Sequence, residues 1–250
     1  MLTSVRSLLA ATILAGSVLV AAPALAQDEE AEGSDFSVTG SVTAASDYRF
    51  RGVSLSGGNF AIQGGITLNH SSGFYLGTWS SSLEYTPLYG EVETDFFAGW
   101  GGEVADGVKV DAGLLVYTYL SNDVGPADYW EPYASITGQF GPVAAKLGVA
   151  YAWDLDSLGG SDNFYIYTNL DAGIPNTPVT VSGHLGYTDG VLAPPLLAGT
   201  ADDSGFDWSL GATAVVIGNL AVGVSYVGVE GPSIDGFTDD TVVATLTLTL

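Results

Sequence analysis

From Phe36 onward the chain alternates apolar and polar residues with a period of two, and the runs break at Gly, Asn, Asp and Pro. That period places successive side chains on opposite faces of an extended strand. Twelve strands follow: 36–51, 60–70, 74–85, 91–103, 108–120, 129–140, 143–154, 163–174, 179–188, 206–217, 220–229 and 240–250. In 108–120 one face reads Val108, Val110, Ala112, Leu114, Val116, Thr118 and Leu120, and the other Lys109, Asp111, Gly113, Leu115, Tyr117 and Tyr119. In 163–174, Phe164, Ile166, Leu170 and Ile174 oppose Tyr165, Tyr167, Asn169 and Asp171.

The connections are sorted by length. Counted from the N-terminus, every odd-numbered connection is longer than every even-numbered one, and the short ones include the turn pairs Gly141-Pro142 and Gly218-Asn219. Long loops at one rim and tight turns at the other, on an even number of strands with apolar faces about ten residues long, predict an all-β fold, a transmembrane antiparallel β-barrel. Aromatics at strand ends, among them Tyr48, Phe50, Trp130, Trp153 and Phe206, are expected in belts at the membrane interfaces. Pro132 cannot donate to a ladder and predicts a bulge near the long-loop rim.

The first residues follow a different rule. Arg6, the apolar run from Leu8 to Val20 and the small-x-small Ala24-Leu25-Ala26 read as a secretory signal peptide over residues 1–26. Residues 27–35 form an acidic leader, expected to be disordered, and the barrel occupies 36–250.

Charge narrows the partners. Five Lys and Arg against 28 Asp and Glu give a net charge of −23, which excludes nucleic acid because its phosphates would be repelled. Apolar residues make up 47% of the chain, too many for a disordered acidic protein. With no Cys and only His70 and His184 as histidines, thiolate chemistry is excluded and no cofactor or metal is expected. Asp202-Asp203 and Asp239-Asp240 lack the spacing of a calcium loop.

If the polar register faces a lumen, its ionisable groups fall at two heights. Arg49, Arg51, Glu84, Glu91, Glu93 and Glu131 lie towards the long-loop rim, with Asp47 and Asp95 deeper; Lys109, Asp111, Lys146 and Asp171 lie towards the short-turn rim, and His184 shares the inward register. One reading is a constricted pore whose acidic mouth favours cations. The other is charge pairing across a plugged lumen, since buried ions need partners. A hydrolase would use His184 with Ser182 or Ser209 and Asp171 or Asp207, but no G-x-S-x-G elbow surrounds those serines and a non-enzymatic role is favoured. Loop 189–205, with Pro194-Pro195, is either an inward partial plug, an adhesive surface or a mobile loop.

Several segments are familiar. Ser46-Asp47-Tyr48-Arg49-Phe50-Arg51-Gly52-Val53-Ser54, Ala61-Ile62-Gln63-Gly64-Gly65 and Ser72-Gly73-Phe74-Tyr75-Leu76-Gly77-Thr78-Trp79 resemble the TorF family of porin-like Gram-negative envelope proteins. Residues 141–151 and 206–211 are similar to it as well. The resemblance implies a signal peptide, an outer-membrane barrel surrounded by lipid, insertion by the barrel-assembly machinery, and passive passage of small hydrophilic solutes or ions. The alternative is a non-conducting structural or adhesion barrel that works through its acidic external loops. The last residue, Leu250, stands where outer-membrane barrels usually carry an aromatic.

Overall fold

The computed structural model describes residues 34–250; the expected signal peptide and most of the acidic leader lie outside the described residues. Twelve antiparallel strands close into a barrel: β1 (Phe36–Ala45), β4 (Ala61–His70), β5 (Phe74–Thr86), β6 (Gly90–Ala105), β7 (Val108–Thr118), β8 (Tyr129–Phe140), β9 (Val143–Leu155), β10 (Ser161–Gly173), β11 (Val179–Gly190), β12 (Ser204–Ile217), β13 (Leu220–Val229) and β14 (Thr241–Thr249). Neighbours in sequence pair with each other, and β1 pairs with both β4 and β14, so the sheet has no free edge. Two further short strands, β2 (Arg49–Phe50) and β3 (Val53–Ser54), pair only with each other.

Period-two alternation sorts the side chains as the sequence predicts. Ile66, Leu114, Leu147, Leu170, Leu210 and Leu246 stand exposed on the outer surface, while Gln63, Ser81, Glu93, Glu131, Ser182 and Asp207 are buried inside. An apolar outer surface of this extent is unfavourable in water, as expected of a face that meets a membrane or another apolar surface.

Three local features depart from the expected pattern. β1 ends at Ala45 rather than continuing to residue 51, and the segment after it turns into the barrel. β5 and β6 extend almost to meet at Pro87–Tyr89, so this connection is shorter than the segment 174–178 at the opposite rim and the sorting by length is incomplete. Pro132 produces no bulge. It is in register with Leu114 of β7, and the β8–β9 ladder begins only at Tyr133 and Ala150, so no rung to β9 is lost at the proline. Trp130 and Trp153 meet beside this unpaired stretch with ring centroids 4.7 Å apart.

Candidate functional site

Residues 46–60 fold inward from the long-loop rim, and Asp47 to Ser54 are buried throughout. The hairpin turns at Arg51 and Gly52, whose φ angles of 48° and 79° are both positive, as the two central residues of a type I′ turn must be. Asn-Gly is the preferred pair there, so Arg51 holds a left-handed conformation that costs on the order of 1 kcal/mol. Asp47 anchors the base of the hairpin, accepting hydrogen bonds from Ser54 Oγ at 2.6 Å and Ser56 Oγ at 2.8 Å and pairing with Arg49. Arg49 also reaches Asp239 Oδ1 at 3.0 Å and donates to the carbonyls of Phe237 and Asp239, which ties the hairpin to the last external loop.

Arg51 crosses to the wall. Its Nη2 donates to both carboxylate oxygens of Glu131, at 2.9 and 2.7 Å, and its guanidinium lies 4.2 Å from the Tyr165 ring centroid and 4.8 Å from that of Phe50. Tyr117 donates to the same carboxylate at 3.1 Å and stacks on Tyr129, centroids 4.4 Å apart. Burial, the largest single influence, would lower the pKa of Arg51, but Glu131 together with Tyr117, Tyr129 and Tyr165 outweighs it and the net shift is upward. Tyr48 donates to Glu93 Oε1 at 3.1 Å and packs edge-on against Trp79. Its hydroxyl is raised well above the ordinary tyrosine range by burial and then by Glu93 and Asp95. A cavity of about 20 Å³, room for a water molecule, remains between Phe50, Arg51, Tyr133 and Ala150.

The other charged positions divide by height. Asp95 is buried beside Glu93, whereas Glu84 and Glu91 are exposed at the rim. Glu84 accepts a bond from Asn59 at 3.3 Å and its backbone N–H donates to the Leu55 carbonyl, steadying the end of the inward segment. Towards the short-turn rim, Asp111 accepts from Tyr75 at 2.9 Å and Asp171 from Ser182 at 2.6 Å. Lys109 and Lys146 are half-buried, with Lys146 Nζ 5.9 Å from the Tyr167 ring. His184 lies 2.8 Å from Asp207 and 3.0 Å from the Tyr165 hydroxyl, and bonds Asn169 through Nδ1; no serine hydroxyl among the described residues bonds to it.

Two expectations change with this geometry. Tyr48 and Phe50 are not belt aromatics: they are 1% and 9% exposed, inside the lumen, because the strand that would have carried them outward stops at Ala45. Loop 189–205 lies down on the rim, with Pro194 and Pro195 buried in the short helix α1 (Pro194–Leu197) against β12 and Leu192 N–H donating to Asn163 Oδ1 at 2.9 Å. The sequence reading missed the roles of Tyr117, Tyr129 and Tyr165. The available signal was their odd-numbered register, which they share with Lys109, Asp111 and Asp171.

The barrel has the fold of solved porins. The KdgM porin in complex with disordered oligogalacturonate superposes with a TM-score of 0.54 at 10% identity, over 85% of this chain and 95% of that one. The NanC porin superposes with a TM-score of 0.58 at 7% identity, over 85% and 98%. No curated protein matches by sequence. Over residues 29–249, nearly the whole of the closed barrel and the hairpin inside it, the sequence matches the Gcw_chp family, described as a bacterial protein of unknown function, and the chain belongs to that family.

Proposed function

We propose that this protein is a porin-like outer-membrane barrel that gives small hydrophilic solutes or ions a narrow passive route with a preference for cations, and that residues 46–60 close the route in the conformation described. One observation carries the reading: a closed barrel with an apolar exterior encloses a polar lumen in which buried acids outnumber buried arginines. The porin fold and the resemblance to the TorF family support it. Export by a cleaved signal peptide over residues 1–26, insertion by the barrel-assembly machinery and a surround of outer-membrane lipid belong to the same proposal.

The charge pattern selects the solute. The oligogalacturonate of the KdgM complex is a polymer of acidic sugars. Here Arg51 is committed to Glu131, and Arg49 to Asp47 and Asp239, so a polyanion meets carboxylates rather than free guanidinium groups. Neutral and cationic solutes are the class that fits. The test is conductance of refolded residues 27–250 in a planar bilayer under a salt gradient. Discrete steps with a reversal potential on the cation side support the pore.

A second reading draws on the filled lumen: a non-conducting structural or adhesion barrel with its acidic external loops as the working surface. A folded, heat-modifiable barrel that stays silent even when the hairpin is unlatched would favour it.

A further inference from the structure

Apart from Phe50, the groups around the Arg51 guanidinium belong to the wall rather than to the hairpin. Glu131 comes from β8, Tyr117 from β7 and Tyr165 from β10, with Asp95 of β6 and Asp207 of β12 near by. With the hairpin withdrawn, these strands would present a carboxylate held by the Tyr117 hydroxyl beside the flat face of Tyr165. Asp95 is 1% exposed beside the Glu93 carboxyl, with no N–H or hydroxyl donor on either oxygen; Asp207 is 2% exposed and its Oδ2 has no hydrogen-bond partner. A buried acid in this condition either holds a proton or is stabilised by a cation. A planar guanidinium can bond a carboxylate with two donors while stacking on an aromatic ring, and an ammonium group can use the same charges less completely.

We propose that this part of the wall is a binding site for the guanidinium or primary ammonium group of a solute, and that Arg51 occupies it as a tethered stand-in while the hairpin is seated. The inference rests on the pore reading and names the solute class that the pore would take. Two features set Arg51 apart from a purely structural ion pair. Its Nε and Nη1 have no acceptors, so the tethered group uses only part of its donor fork and a free guanidinium has bonds left to make. Its backbone also occupies a left-handed position that favours Asn or Gly. The hairpin therefore carries a guanidinium at some conformational cost.

The test is chemical rescue. Arg51→Asn removes the guanidinium and suits the turn; Arg51→Gly replaces it should the first variant fail to fold. Thermal unfolding in detergent is followed with guanidinium chloride or L-arginine at millimolar concentration, against equal sodium chloride. The expected result is a rise of about 3–6 °C for Arg51→Asn at tenfold excess over Kd. No comparable rise is expected for the wild type, whose site is filled, or for Arg51→Asn combined with Glu131→Gln. No rise above the salt control in either single variant overturns the proposal, and so does a rise that survives loss of the Glu131 charge. Conductance of the same preparations separates the two claims. Rescue without current supports the site and removes the pore, whereas current that arginine does not block, from a variant that shows no rescue, removes the site and leaves the pore.

Discussion

Gly52, at the tip of the inward hairpin, lies so close to Val229 of β13 that a methyl group on its Cα would overlap Val229 Cγ1. The hairpin thus bears on the wall by steric contact as well as by ion pairs. Gly52 also has a φ of 79°, which an alanine rarely adopts. Gly52→Ala should destabilise the seated hairpin by about 1–3 kcal/mol and lengthen open events in bilayer recordings. Unchanged melting and unchanged open times would show that the tip does not depend on this contact.

The Arg51–Glu131 pair offers a sharper number. Both side chains are buried, at 4% and 1% exposure, so truncating one leaves the other charged and unpaired. Glu131→Ala should cost about 3–5 kcal/mol, and removing both partners should cost clearly less than the two single losses added together. A thermal-unfolding double-mutant cycle measures this, and additivity would refute the coupling.

Arg49 holds the hairpin to the last external loop through Asp239, which is partly exposed. Solvent screening limits this contact, and Asp239→Asn should cost about 1 kcal/mol or less. Its effect should appear mainly as more frequent opening, with little change in melting temperature. A single-channel record of the variant that matched the wild type would show that the loop does not restrain the hairpin.

Leu246 and Thr247 are adjacent on β14 but face opposite ways: Leu246 is exposed outside, and Thr247 faces Thr43 across the inner surface, their hydroxyls 2.9 Å apart. Leu246→Arg should lower folding stability in lipid vesicles by about 2–4 kcal/mol, the cost of a cation near the bilayer midplane. Thr247→Arg should cost less, because its charge would enter a lumen already populated by acids. Equal penalties would contradict the assignment of faces.

The barrel was legible because alternation is a local property. Val110, Leu114 and Val116 could be assigned to one face of β7 without knowing any partner strand. The hairpin was not, because its pattern is also period two: Tyr48 and Phe50 share a parity that reads as a continued strand. Only the Arg51-Gly52 pair signalled a turn, and Arg is an uncommon residue in that role. The individual charged residues were recognised, but the pairing of Arg51 with Glu131 spans 80 residues and depends on barrel closure, which strand periodicity does not encode. Glu84 stands at the long-loop rim as its place in the chain indicates, but it is exposed, next to a register shift between Ser82 and Thr86 that leaves no mark on the alternation.

The hairpin follows the first strand of the barrel, yet its partners come later in the chain: Glu93, Glu131, Val229 and, at a separation of 190 residues, Asp239. Contacts so distant in sequence carry a larger loop-closure entropy cost than local ones. β1 must also wait for β14 before the cylinder is complete. The hairpin therefore cannot be fully latched before its wall exists: its contacts with Glu131, Val229 and Asp239 require β8, β13 and the last external loop to be in place.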